Sequence, residues 1–219
     1  MGITELIRRC RTRLNDMRRP YRVEDADIID AIDRAQDEAA ERGLLLFDTT
    51  TEAVCSIDVV AGTASYSVDN RVLAVTSAAL ASKTTPLAKI PAHHTYRAEY
   101  ERVVDSDTPI WFYETNSSIT LIPTPSVDDT LTLQVYRYPL NDIVGTNSSL
   151  EIDGRYHADL IDWVCHDILT TQDIETVDPK ASVEFLARFE RRFGPRRSAS
   201  ELRAWKEVPR NTSVRMRSP

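Results

Sequence analysis

The apolar residues of this chain keep helical spacing at both ends and switch to alternation through the middle. Ile3, Leu6, Ile7, Cys10, Leu14 and Met17 form one stripe, with Arg8, Arg9, Arg11 and Arg13 on the polar side. That pattern predicts an amphipathic helix closed by Pro20. A second helix is predicted from Glu24–Asp25, where Asp25 and Asp27 suit the positive end of the helix dipole. Its buried stripe is Ile28, Ile29, Ile32, Ala35 and Ala39, and Gly43 is the expected stop just past its end.

From Val54 the period becomes two. Val54, Cys55, Ile57 and Val59 read as a strand, Ala61-Gly62-Thr63 as a turn, and Tyr66 and Val68 as the return. Val72–Leu80, Leu87–Ile90, Ile110–Glu114, Ile119–Ile122 and Leu131–Tyr138 are further strand candidates. Asn116-Ser117-Ser118 is a hairpin turn, and Pro123, Pro125, Asp128 and Asp129 mark another connection. Pro91–Val104 reads as a short helix. Short strands in such succession predict an antiparallel sandwich or open barrel.

Helical spacing returns with His157, Leu160, Ile161, Val164, Ile168 and Leu169. Asp178-Pro179 opens a last helix, with Val183, Leu186, Phe189 and Phe193 along it and Gly194-Pro195 ending it. Helices split between the two ends bury each other only by meeting in space. The expected fold class is therefore α+β, with a helical bundle from residues 1–45 and 153–194. Residues 46–152 would form a central antiparallel β-sandwich or barrel, and 195–219 an extended C-terminal arm.

Charge sharpens this picture. Residues 1–22 carry seven arginines against two acids, and 23–42 eight acids against two arginines. Residues 43–187 hold eight basic and twenty-one acidic residues, and 188–219 ten basic and three acidic ones. An acidic middle repels nucleic acid, while the Arg-rich ends suit phosphate or carboxylate. The face Asp27, Asp30, Asp33, Asp37, Glu41 is either a hydrated surface or the counterpart of Arg8, Arg9, Arg11 and Arg13 on a neighbouring copy.

Candidate chemistry is sparse. Cys10, Cys55 and Cys165 are distant from one another and form no CxxC pair, which points away from a disulfide framework or a zinc knuckle. His93 and His94 are neighbours, and adjacent helical residues diverge by about 100°. They read as a polar helix start. His157 and His166 fall on nearly opposite helix faces, so no metal is expected. Glu99, Glu101 and Asp105 form a solvated face, or, in a weaker reading, the acids of a peptidoglycan hydrolase. No nucleophile elbow or phosphate loop occurs, so neither a cofactor nor catalysis is expected. With no apolar leader and no run of eighteen apolar residues, no membrane segment is expected.

The stretch Gly194–Pro219 has seven basic residues, among them Arg196, Arg197, Arg203, Arg210, Arg215 and Arg217, against Glu201 and Glu207. Its apolar residues are too scattered for a core, and Pro195, Pro209 and Pro219 interrupt a long helix. Disorder, phosphate binding and docking on another protein are all open to such an arm. Trp205 beside Arg203 and Lys206 favours docking, because a tryptophan is a poor solvated residue and a good anchor.

The run Asp25-Ala-Asp-Ile-Ile-Asp-Ala-Ile-Asp-Arg-Ala-Gln36 resembles the second helix of head-to-tail adaptor (connector) proteins of tailed bacteriophages, the short-tailed viruses in particular. The turn Ala61-Gly62-Thr63-x-x-Tyr66 is similar too, as are Pro109-Ile-Trp-Phe-Tyr113, Ile119-x-Leu121-x-Pro123-x-Pro125 and Tyr136-Arg-Tyr-Pro139. So are His157-x-x-Leu160-Ile161-Asp-Trp163 and Phe193-Gly194. The resemblance implies a structural virion protein in a ring, usually of twelve copies, between the portal protein and the tail nozzle or tube. Double-stranded DNA would pass through the hole. It further implies that the helical part and the C-terminal segment contact the portal. A nucleic-acid-binding protein with Arg-rich arms is the alternative.

Overall fold

The computed structural model describes residues 1–92, 108–171 and 178–207. Among them the fold is α+β, in two compact units. The first comprises Met1–Leu46 and Tyr138–Arg196; the second comprises Phe47–Arg137 and the described residues from Arg197 onward.

The first unit is a helix bundle of α1 (Ile3–Arg13), α2 (Asp25–Gly43), α4 (His157–Thr171) and α5 (Pro179–Phe193). Most of the predicted stripe residues meet in one core, where Leu6, Cys10, Ile28, Ile32, Ala35, Leu160, Val164 and Phe189 are at most 1% exposed, but Met17 lies beyond the end of α1 and, like Val183, is exposed. Phe189 and Phe193 pack with ring centroids 4.6 Å apart. Ile143 and Ile152 from the segment before α4 also enter this core. Asp178 caps α5 by accepting from the Ala181 N–H at 3.0 Å, which leaves Pro179 in the first turn, where its missing N–H costs nothing.

The end of α2 differs from expectation. Gly43 is the last helical residue, and Leu44 takes the left-handed conformation (φ 50°, ψ 48°). Gly43 is therefore not the left-handed residue; a Cβ there would lie 2.9 Å from Leu45 Cδ2, a side-chain end that can shift aside.

The second unit holds two four-stranded sheets. In the first, β8 (Asp129–Arg137) pairs along its length with β4 (Val72–Leu80), and on its other edge with β1 (Phe47–Asp48) and β2 (Ser56–Val59), all antiparallel. Alternation along β8 buries Leu131, Leu133 and Val135 completely. The second sheet runs β3 (Ser65–Ser67), β7 (Ser118–Ile122), β6 (Trp111–Glu114), β5 (Ala88–Lys89). The pairing of β5 with β6 is parallel, a departure from the wholly antiparallel expectation.

Val54 and Cys55 lie in a helical turn, α3 (Glu52–Cys55), rather than at the head of β2. The cause is Asp48, whose carboxylate accepts from the N–H groups of Thr50 and Thr51 and from the Thr51 hydroxyl. Those bonds wind the chain before alternation starts at Ser56. Tyr66 explains the Ala61-Gly62-Thr63 turn. Its hydroxyl accepts the Val60 N–H at 3.1 Å and donates to the Thr63 carbonyl at 2.6 Å, while Gly62 supplies a φ of 79°. The predicted helix over Pro91–Val104 falls largely outside the described residues.

The C-terminal stretch is helical over Ala199–Glu207 (α6), where the sequence predicts an extended arm. The reason is a reciprocal cap: the Ser198 N–H donates to Glu201 Oε2 at 2.7 Å, and the Glu201 N–H donates to Ser198 Oγ at 3.2 Å.

Candidate functional site

The arginines of α1 divide into two groups. Arg8 and Arg9 lie exposed over Glu5, bonded to it at 2.7–2.8 Å, and together they hold the Glu5 carboxyl down to about 2. Arg11 is 4% exposed. It donates to Asp16 at 2.8 Å, the Val23 carbonyl at 2.9 Å and Asp25 at 2.5 Å, and its guanidinium lies 3.7 Å from the centre of the Tyr21 ring. Arg13 pairs with Asp162 of α4. Arg11 and Arg13 thus hold their own bundle together, and burial leaves Arg11 no face for a neighbouring copy.

The acidic face of α2 opens on a groove of about 440 Å³ within the first unit, lined by Arg34, Asp37, Glu38, Glu41, Tyr138, Trp163, Asp167 and Arg196. Most of its charges are matched. Glu38 accepts from Arg42 at 2.8 Å and pairs with Arg196 at 3.6 Å. Asp167 accepts from Arg34 at 2.6 Å, and Glu41 accepts the Tyr138 hydroxyl at 2.8 Å. Burial, with help from Glu41, pushes the Tyr138 phenol up.

Asp37 differs. It makes no hydrogen bond or ion pair with any described residue, and burial, reinforced by Asp33, Asp142, Glu38 and Glu41, pushes its carboxyl up to about 6. Asp33 accepts the Ile143 N–H at 2.8 Å, yet burial still raises its carboxyl. Asp30 is exposed.

In the second unit, Trp205 of α6 is half-buried, its ring centroid 6.3 Å from that of Tyr136 and 5.7 Å from the Arg197 guanidinium. Lys206 reaches Glu114 at 3.8 Å. Glu114 is held underneath by Lys89 at 2.7 Å and by the Val75 N–H at 3.1 Å. Arg203 and Lys206 flank a small cavity of about 170 Å³ beside Thr115 and Asn116. Arg210, Arg215 and Arg217 lie outside the described residues, as do His93, His94, Glu99, Glu101 and Asp105.

A family model described as SU10 adaptor protein matches residues 1–217. The chain belongs to the SU10 adaptor protein family. The match takes in both units and the basic C-terminal stretch, and it makes the protein a structural adaptor of bacteriophage virions. None of the curated proteins compared matches it.

In this adaptor the charges named from sequence are thus dispersed over both units. Arg8, Arg9, Arg11 and Arg13 are tied to acids of their own chain, Asp30, Asp33 and Asp37 ride on α2, and Arg196 and Arg197 fall to different units. Among the described residues no group of His, Cys, Asp and Glu is arranged to hold a metal, and no helix is long and apolar enough to cross a membrane.

Sequence reasoning missed three features of the adaptor. Lys89 and Glu114 form a buried pair with side chains 5% and 3% exposed, and their only signal is a charged residue at an inward position of a short strand. Asp48 is held well below the usual carboxylate range by Thr50, Thr51 and Arg137, which outweigh its burial. Ser198-x-x-Glu201 is a capping box legible in the sequence, and it announces α6.

Proposed function

We propose that the adaptor is one subunit of a closed ring, of twelve copies, at the head–tail junction of a short-tailed phage. The ring would join the portal protein to the tail nozzle or tube and leave a central passage for double-stranded DNA. The observation that carries this reading is the family match over residues 1–217.

Two physical features support it. A ring closes through heterologous contacts, so each subunit needs two different, complementary patches. The acidic groove beside Asp37 and the cationic C-terminal stretch have opposite sign. The acidic middle of the chain, with eight basic and twenty-one acidic residues over 43–187, would repel duplex phosphates and favour passage over retention. Such a role asks for docking surfaces, not for catalysis. Within it, Arg203, Arg210, Arg215 and Arg217 are the charges we assign to contacts with the portal or a neighbouring copy.

The test is to mix the purified chain with its portal protein and examine the product by electron microscopy and mass photometry. Rings of one discrete mass are expected. A strict monomer that ignores the portal overturns the reading. Salt-dependent duplex binding by the chain alone, lost on removal of 208–219, would favour the nucleic-acid alternative.

A further inference from the structure

The groove beside Asp37 has the chemistry of a guanidinium receptor. A guanidinium needs a planar carboxylate partner and gains from an aromatic face. The groove offers Asp37, a half-buried carboxylate with no bonding partner among the described residues, and the rings of Trp163 and Tyr138. A guanidinium already stands against one wall of the groove: Arg196, from the start of the basic stretch, lies at its rim, 3.6 Å from Glu38.

The twelve residues after Glu207 supply more of the same group. They contain Arg210, Arg215 and Arg217, with no lysine and no acidic side chain. They continue from α6, which is held to its own unit by Lys206 on Glu114 and Trp205 beside Tyr136. Twelve residues reach up to about 40 Å when extended, more than the width of a small domain, about 30 Å. That length is enough to cross onto another molecule.

We infer that the groove lined by Asp37, Trp163 and Tyr138 receives an arginine from residues 208–219 of a neighbouring copy. This rests on the ring reading and names the contact that links one subunit to the next. The two surfaces lie at different places on the chain, so the contact is heterologous and repeats from copy to copy. Asp37 gains a bonding partner that no described residue of its own chain supplies, and Arg196 marks the edge of the site without filling it.

The experiment uses the full chain with the photoreactive residue p-benzoylphenylalanine in place of Val214, mixed as light and heavy isotope forms, with and without portal protein. Cross-links between light and heavy chains, mapped to peptides of α2 and α4 around Asp37 and Trp163, are expected. Asp37→Arg lowers their yield roughly tenfold or more. Adding Arg210→Asp, Arg215→Asp and Arg217→Asp to that variant restores them by charge exchange. Three results overturn the inference: cross-links confined to one copy, cross-links only to other surfaces or to the portal, or yields indifferent to Asp37→Arg. Rings seen with portal but lacking groove cross-links would sink this contact and leave the ring standing. Groove cross-links without rings would do the reverse.

Discussion

Lys89 Nζ donates to Glu114 Oε2 at 2.7 Å and to the Val75 carbonyl at 2.7 Å, tying the short strand β5 to both β6 and β4. With side chains 5% and 3% exposed, neither charge has water to fall back on. Removing Lys89 leaves the buried Glu114 carboxylate with only the Val75 N–H and the more distant Lys206, at 3.8 Å, to offset its burial.

Lys89→Ala is therefore expected to destabilise the protein by about 3–5 kcal/mol. Replacing both residues, Lys89→Met with Glu114→Gln, removes the stranded charge and recovers most of that loss. Chemical denaturation of the single and double variants checks the coupling. Equal losses in the two would show that the pair carries no special term.

The arginines of α1 separate in the same way. Arg11→Ala leaves Asp16, 3% exposed, without its buried partner, and a loss of about 3–5 kcal/mol is expected. Arg8→Ala exchanges one exposed contact with Glu5 for water, and its denaturation midpoint should not move measurably. Comparable effects of the two variants would contradict this assignment.

Asp37 gives a pH signature. Its folded carboxyl titrates near 6 against an ordinary value of 3.8, so the folded state holds the proton more tightly than the unfolded state. Stability contributed by this group is greatest below the ordinary value and is lost as pH rises through about 6. Asp37→Asn should raise the melting temperature at about pH 8 and leave it nearly unchanged at about pH 3.5. A gain of equal size at both ends would show that the charge is not the cause. Binding of an arginine in the groove would remove the effect in the assembled state.

The C-terminal helix should depend on its cap. Ser198→Ala costs α6 about 1 kcal/mol, because the Glu201 N–H loses its acceptor. Hydrogen exchange of the amides in 199–207 should quicken about fivefold, while exchange in β8 stays unchanged. Trp205→Ala should loosen the same amides by removing the packing beside Tyr136. Uniform protection in both variants would refute a marginal, cap-dependent helix.

Much of the fold was legible because burial imposes a period. The stripe Ile28, Ile32, Ala35, Ala39 and the alternation Leu131, Leu133, Val135 are each buried as their spacing predicts. Where local hydrogen bonds compete with period, the pattern misleads. Val54 and Cys55 alternate plausibly with Ile57, yet Asp48 winds them into a turn. The candidate site was less legible. Arg8 and Arg11 are indistinguishable as letters on one polar face, and only the packed neighbours Asp16, Val23 and Tyr21 make one of them structural.

Apolar periodicity and turn chemistry in the sequence alone determined the α+β class and the two helical ends, because each element must bury its own face. Charge segregation was equally local, since it counts side chains and not contacts. Which of those charges are consumed within the chain was decided only by the tertiary structure. An ion pair depends on distance and dielectric, and residues 149 positions apart, such as Arg13 and Asp162, acquire both only when the helices pack. The same packing leaves Asp37 half-buried among carboxylates, with no bonding partner among the described residues, a property no single segment of sequence contains.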